Sequence, residues 1–208
     1  RGLYILRHVF HCHVSSMKEF LKLLKENKQY KEIMQSLLAG KDCAVNGLWG
    51  SSANFFVAAI AGERLKASKV RPKLLVVVPN IEEADEDLED LNTFLPGHTS
   101  LFPAGENIFA DDFEDDVDIQ AQRIHVLNQI LHDDVHAKHN LDIIVAPIQA
   151  ILQPVPSPRL ISENILRIQR NREYPLEELI AWLHDHHYRL TSQVENAGEY
   201  ALRGGIID

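Results

Sequence analysis

The sequence has 208 residues, of which 45% are hydrophobic and 25% are charged, and its formal net charge at pH 7 is −9. This composition is typical of a globular protein with one or two domains and excludes a disordered or disulfide-rich chain. No stretch approaches the roughly 18 to 20 apolar residues of a membrane-spanning helix, and the two cysteines lack CxxC spacing. We therefore expect a cytoplasmic protein that does not contact a membrane.

The negative charge is concentrated in one segment. Residues 82–118 contain fourteen acidic residues and no lysine or arginine, whereas residues 1–73 contain thirteen bases and five acids. The net charge of the whole chain therefore does not exclude an anionic partner. Because fourteen carboxylates would repel phosphate, we expect the acidic segment to be an exposed surface that does not bind DNA directly.

Hydrophobic periodicity predicts alternating helices and strands in the first three quarters of the chain. The predicted elements are helices over 16–38, 53–65, 81–94 and 119–131 and strands over 43–45, 74–79 and 141–147. The strands at 74–79 and 141–147 are aliphatic runs without alternation, which predicts burial on both faces. The pattern favours an α/β fold with a mainly parallel sheet.

Three prolines within 154–158 predict a stiff connector that ends the first domain at residue 153. The elements predicted beyond it are a strand over 164–168, a helix over 175–185 and strands over 189–194 and 199–208. The predicted organisation is an N-terminal helical extension (1–40), an α/β domain (41–153) and a smaller α+β domain (154–208). The last strand ends within an apolar run, so we expect the α+β domain to be truncated.

A turn between a predicted strand and a predicted helix can be compared with the phosphate-binding template G-x-x-x-x-G-K-[ST]. The residues of this turn are Gly47, Gly50, Ser51, Ser52, Ala53 and Asn54, of which the last three replace the second glycine, the lysine and the hydroxyl residue. Without the lysine and the Mg²⁺-binding hydroxyl the turn lacks the groups that neutralise a triphosphate. We therefore predict a vestigial phosphate loop, and backbone anion contacts at the helix N-terminus remain the alternative.

The sequence predicts neither catalytic residues nor a metal site. The only Asp-Glu dipeptide, at 85–86, lies in the acidic helix, whereas ATPases place the Mg²⁺-binding acid at the end of an aliphatic strand. The densest groups of the eleven histidines are 11–13, 184–187 and the helically spaced His132, His136 and His139. None has the ligand spacing of a zinc site, so we expect polar loop and helix-end histidines, with a surface metal contact near 132–139 as the alternative.

Several motifs resemble, in the same order, the N-terminal module of the transcription-repair coupling factors (Mfd), a module that is itself similar to the start of the excision-repair helicase UvrB. In the predicted α/β domain these motifs are 47–51, 75–79, Phe102-Pro103, Arg123 with 126–128, 144–147, 149–150 and 152–153. In the predicted α+β domain they are the more specific motifs 187–189, 193–195, 198–201 and 203–208. The resemblance covers residues 43–208 and does not include residues 1–40.

This resemblance implies a RecA-like half domain followed by the domain with which Mfd and UvrB dock on UvrA. It implies an interaction module that recruits UvrA for transcription-coupled nucleotide excision repair, without a cofactor or ATPase activity of its own. ATP and Mg²⁺ would belong to the motor domains of the full-length protein, which would reach RNA polymerase and double-stranded DNA through further domains. Arg203, in the best-matched motif, is the strongest candidate for contacting UvrA, and Arg189 is the second.

Two other interpretations fit the same sequence. The first is a fragment of a UvrB-type ATP-dependent DNA helicase with a weak nucleotide site, although the altered phosphate loop favours Mfd. The second is an unrelated α/β adaptor. For either arginine, the competing interpretation is a solvated strand residue that contributes little.

Overall fold

The computed structural model describes residues 17–67, 73–105, 117–132 and 141–208. The helices are α1 Met17–Glu26, α2 Lys28–Leu38, α3 Ser52–Ala67, α4 Ile81–Phe94, α5 Val117–Leu131, α6 Ile148–Leu152, α7 Pro158–Glu163 and α8 Leu176–Asp185. The strands are β1 Leu74–Val78, β2 Thr99–Leu101, β3 Ile143–Pro147, β4 Arg189–Thr191, β5 Glu199–Arg203 and β6 Ile206–Ile207. No helix in the described ranges is long and apolar enough to cross a membrane.

Some predicted features lie outside the described residues. They are the histidines at 11–13, the acidic run at 111–116, and His136 and His139.

The first sheet is parallel and has the strand order β1-β3-β2, which confirms the α/β prediction. β3 is buried along its whole length because it is the central strand and helices cover both of its faces. Ile143 and Val145 pack against α3 and α4, while Ile144 and Ala146 pack in a second cluster with residues of α5. The prediction of a strand buried on both faces is therefore confirmed for β3.

The same prediction is wrong for β1. Leu75 and Val77 are 52% and 48% exposed, whereas Leu74 and Val76 pack against the core that α3 and α4 form. Within the described part of the chain β1 pairs only with β3, so it is an edge strand with one covered face. A continuous aliphatic run predicts a strand, but it does not distinguish a central strand from an edge strand.

The single helix predicted over 16–38 is two helices, α1 and α2. Asn27 separates them in an extended conformation, and its side-chain oxygen accepts a hydrogen bond from the backbone N–H of Tyr30 (3.1 Å). Asparagine is a favoured N-cap, so it starts a new helix where the hydrophobic repeat alone indicates continuity. Tyr30 and Met34 then pack against Ala59 of α3.

Two predicted strands, over 43–45 and 164–168, are not found in the structure. Both segments are irregular and mostly exposed. Short apolar runs form strands only where a partner strand is available. The sequence analysis also missed β2, α6 and α7. Pro158 occupies the first turn of α7, where proline is tolerated, and Ser157 caps that helix, so the stiff connector ends in a helix.

The C-terminal sheet consists of β4, β5 and β6. β4 pairs with β5 in parallel, and β5 pairs with β6 antiparallel. The single strand predicted over 199–208 is thus a hairpin, whose turn contains Gly204 at φ +62°, a conformation that glycine adopts readily. Tyr200 and Ala201 of β5 are buried, as is Leu183 of α8.

Contacts cross both predicted domain boundaries. In the N-terminal part α2 packs on α3, and beyond the connector α7 packs on α5. The division at residues 40 and 153 stays a prediction.

Candidate functional site: the vestigial loop and the arginine face

The vestigial loop, residues 47–54, satisfies part of its own backbone groups. Gly47 and Gly50 have φ values of +83° and +52°, which permit a tight turn before α3. The Ser52 hydroxyl accepts from the N–H of Trp49 and donates to its carbonyl, both at 2.8 Å. The N–H groups of Ser52 and Ala53 donate to the carbonyls of Trp49 (3.3 Å) and Gly50 (3.4 Å). Two amides at this helix N-terminus, those of Ser52 and Ala53, are therefore engaged within the turn, whereas the N–H groups of Gly50 and Ser51 make no hydrogen bond to the described residues.

Asn54, at the template position of the Mg²⁺-binding hydroxyl, connects α3 to the acidic helix α4. Its side chain is only 5% exposed, and its Nδ2 donates to Asp87 Oδ1 (2.6 Å) and Asp90 Oδ2 (3.2 Å). The side-chain amide bridges two half-buried carboxylates of α4 and so joins the two helices where they meet. At this position the chain thus has a structural contact between helices.

A cleft of about 470 Å³ lies between the vestigial loop and α4. The residues that line it are Gly50, Ser51, Asn54, Glu83, Glu86, Asp87, Glu89 and Asp90. Five of these are carboxylates and none is lysine or arginine, so the cleft is strongly negative. A phosphate group placed beside the loop would be repelled by these charges.

The two arginines that the sequence analysis selected lie on one face of the C-terminal sheet. Arg189 is opposite Glu199 in the parallel register, and Arg203 follows Glu199 by four residues on β5. Because alternate residues of a strand share a face, all three side chains project from the same side. We call this surface, defined by Arg189, Glu199 and Arg203, the arginine face.

Glu199 organises one end of the arginine face. It accepts hydrogen bonds from the backbone N–H groups of Glu195 (3.0 Å) and Asn196 (3.1 Å), and its Oε1 lies 2.5 Å from Arg189 Nη2. The Glu195 N–H, then the Arg189 guanidinium and the Asn196 N–H, lower the pKa of Glu199 to about 2. Arg189 therefore has a structural partner, although its side chain is largely exposed.

Arg203 is held more weakly than Arg189. Its Nη2 donates to the Ser192 carbonyl at 3.4 Å, and its Nε lies 3.9 Å from an Asp208 oxygen. Both contacts are long, so most of its five N–H donors are accessible to a partner. Ile206, opposite Arg203 in the hairpin, is also exposed and adds an apolar neighbour.

Sequence analysis missed several polar side chains that the fold brings together. Glu199 was noted only as part of a motif, and its opposite charge to Arg189 was the available signal. The buried carboxylate of Asp142, 2.5 Å from His98 Nδ1, had no signal because 44 residues separate the pair. Among the described residues no group of three or more histidine, cysteine or acidic side chains is arranged to hold a metal ion.

Comparison with known proteins identifies transcription-repair-coupling factors among the relatives of this chain. No family model matches the chain. The transcription-repair-coupling factor of Bacillus subtilis is 27% identical over 194 residues, which cover 92% of this chain and 16% of the relative. The factor of Mycobacterium bovis is 29% identical over 65% of this chain, and that of Haemophilus influenzae is 27% identical over 64%, each alignment covering 11% of the relative. The resemblance that the motifs predicted is confirmed: the chain is a homologue of the bacterial transcription-repair coupling factors and spans 11–16% of their length.

Proposed function

We propose that this chain is the part of a transcription-repair coupling factor that recruits UvrA for nucleotide excision repair in the cytoplasm. The observation that carries the proposal is Arg203, an exposed guanidinium in the best-matched motif, on a face that also presents an apolar side chain. A planar guanidinium pairs with carboxylates through two hydrogen bonds, and arginine is enriched among the residues that dominate interface energies.

The proposal assigns no ATPase activity and no cofactor to this chain. Two observations support this part: the N–H groups of Ser52 and Ala53 are bonded within their own turn, and five carboxylates line the adjoining cleft. ATP and Mg²⁺, RNA polymerase and double-stranded DNA are assigned to other domains of a longer protein, since the chain spans only 11–16% of its relatives.

The docking proposal is tested by titrating UvrA with the wild-type chain and with Arg203→Ala. We expect the substitution to weaken binding about tenfold or more, as for a central interface arginine. Arg170→Ala is the matched control, because Arg170 is an exposed arginine outside the arginine face. The affinity of this variant for UvrA should stay within about twofold of that of the wild-type chain. Circular dichroism checks that both variants fold. An unaltered affinity for Arg203→Ala would remove Arg203 from the docking surface.

The proposal that this chain lacks a working nucleotide site is tested separately, by calorimetric titration with Mg·ATP. We expect no heat of binding at micromolar concentrations, because the site lacks the lysine and the hydroxyl of the template. Micromolar binding would contradict the vestigial loop and favour the UvrB-type helicase fragment. Failure of the chain to bind UvrA at all would overturn the docking proposal and would leave the chain as a coupling-factor segment with another role.

A further inference from the structure

The turn that joins β4 to β5 fixes the side chain of Glu199. Its Oε2 accepts hydrogen bonds from the backbone N–H groups of Glu195 (3.0 Å) and Asn196 (3.1 Å). The side chain is only 7% exposed, and Glu199 lies on β5, whose pairing with β4 sets its register. Because backbone groups hold Oε2, the orientation of this carboxylate is set without the help of Arg189.

The second carboxylate oxygen of Glu199 is directed at Arg189. Its Oε1 accepts from Nη2 of the guanidinium at 2.5 Å, in a hydrogen bond between two charged groups. The two oxygens therefore have separate functions, since Oε2 attaches the carboxylate to the turn and Oε1 holds Arg189. A fixed anion restricts a long, flexible cation, so Glu199 positions Arg189 and not the reverse.

Arg189 keeps most of its donors available for a partner. Its side chain is 72% exposed, and among the described residues its guanidinium bonds only to Glu199, through Nη2. A guanidinium has five N–H donors in a planar fork, and a carboxylate can accept two of them at once. The guanidinium of Arg189 is thus oriented on one side and open on the other.

The two arginines of the arginine face differ in this respect. Among the described residues no buried carboxylate holds Arg203, because its Nη2 contacts the Ser192 carbonyl at 3.4 Å and Asp208, 3.9 Å from its Nε, is itself 49% exposed. A side chain that is free before binding loses rotamer freedom when a partner immobilises it, and this loss lowers the affinity. Arg189 is already restricted in the folded chain, so its part of the docking surface is preorganised.

We propose that Glu199 is a positioning residue of the docking surface, which holds Arg189 in the orientation that binds a carboxylate of the partner. The inference rests on the proposed function and adds to it a residue whose own side chain is covered and does not contact the partner. Glu199 should therefore contribute to docking only through Arg189.

The orientation of Arg189 is measured in the free 208-residue chain by NMR relaxation of its Nε–H group, whose resonance is identified by its loss in Arg189→Ala. We expect an order parameter above about 0.6 in the wild-type chain and below about 0.6 in Glu199→Gln. Glu195→Gln is the matched control, because Glu195 lies in the same turn and is exposed, and its side chain makes no hydrogen bond or ion pair with the described residues. An unchanged order parameter in Glu199→Gln would overturn the proposal.

The docking role is measured by titrating UvrA with the wild-type chain, Glu199→Gln, Arg189→Ala and the double variant. We expect Glu199→Gln to weaken binding about threefold to tenfold, as when one side chain must be immobilised on binding. In the Arg189→Ala background the same substitution should have no further effect, and Glu195→Gln should stay within about twofold of wild type. Equal weakening in both backgrounds would mean that Glu199 acts through the turn alone and would overturn the proposal.

Glu199→Asp replaces Glu199→Gln if circular dichroism shows that the latter does not fold. The aspartate keeps the charge, but it is one methylene too short to reach both the turn and Arg189, so the same two results are expected. A wild-type chain that does not bind UvrA would overturn the proposed function and the docking role of Glu199 together. The order parameter of the free chain would still show whether Glu199 holds Arg189.

Discussion

The vestigial loop and the arginine face use polar groups in opposite ways. In the loop, the N–H groups of Ser52 and Ala53 and the side-chain amide of Asn54 all have partners within the protein. On the arginine face, Arg203 makes only long contacts, and its guanidinium remains exposed. Both regions have donors that an anionic ligand requires. The loop bonds part of its donors internally and faces the carboxylates of α4, whereas the arginine face leaves the donors of Arg203 accessible.

This difference separates a group that stabilises the fold from a group that is available for binding. A buried donor with short hydrogen bonds is costly to remove because its acceptors lose their partner. An exposed arginine with long contacts contributes little to the free energy of folding. If its substitution weakens binding to a partner strongly, the lost contact lies in the interface with that partner. Substitutions in the two regions should therefore affect different measurements.

The largest effect on stability is expected for Asn54→Ala. The substitution removes both hydrogen bonds to α4 and leaves the Asp87 and Asp90 carboxylates close together without a donor. We expect the free energy of unfolding to fall by about 1–3 kcal/mol, as for a buried hydrogen-bonding group that loses its partner. Urea denaturation followed by circular dichroism measures the change.

Asn164→Ala is the control for Asn54→Ala. Asn164 also donates one side-chain hydrogen bond, to the Leu160 carbonyl (2.8 Å), but it is exposed, so we expect a change within about 0.5 kcal/mol. Equal effects of the two substitutions would show that Asn54 is solvated and that the loop is not fastened to α4.

The next prediction concerns the pH dependence of the arginine face. The pKa of Glu199 in the folded chain is about 2, below its ordinary value of 4.5, so the carboxylate form stabilises the fold. This contribution is present above pH 4.5 and is lost as the pH falls through about 2. Glu199→Gln removes the charge, so the melting temperature of the variant should be lower than that of wild type at pH 7, and the difference should shrink towards pH 2.

The control for Glu199→Gln is Glu173→Gln, because the Glu173 side chain is exposed and makes no hydrogen bond or ion pair with the described residues. Melting curves of this variant between pH 2 and 7 should follow those of wild type. A constant difference between Glu199→Gln and wild type across that range would mean that Glu199 acts without its charge and would contradict its pairing with Arg189.

Elements with a strong local pattern could be predicted from the sequence. The bounds of α4 agree with the prediction because its apolar face is regular and Asn80 caps it, accepting from the N–H of Glu83 (2.8 Å). The break at Asn27 was not predicted, although residues 25–29 are all polar and asparagine is a favoured N-cap. The absence of a strand at 43–45 depends on the availability of a partner strand, which no local pattern reports.

The candidate sites were predictable only in part. The altered residues of the vestigial loop and the two arginines could be read directly, because each is a local motif. Contacts such as that between Asn54 and Asp87, 33 residues apart, depend on helix packing. The pairing of Arg189 with Glu199 depends on strand register, so the opposite charges of the two residues made the pair possible but did not specify it.

The smallest effect on stability is expected for Trp49→Ala in the vestigial loop. The indole is 84% exposed, and Trp49 contributes to the turn through its backbone N–H and carbonyl, which any residue would supply. The free energy of unfolding should therefore change by no more than about 0.5 kcal/mol. Ser52→Ala, which deletes the hydroxyl that makes both bonds to Trp49, should cost about 0.5–1.5 kcal/mol, as for the loss of an intramolecular hydrogen bond. A loss above about 1 kcal/mol for Trp49→Ala would mean that the indole packs on the protein, and the loop would then be stabilised by its side chains as well as by its backbone.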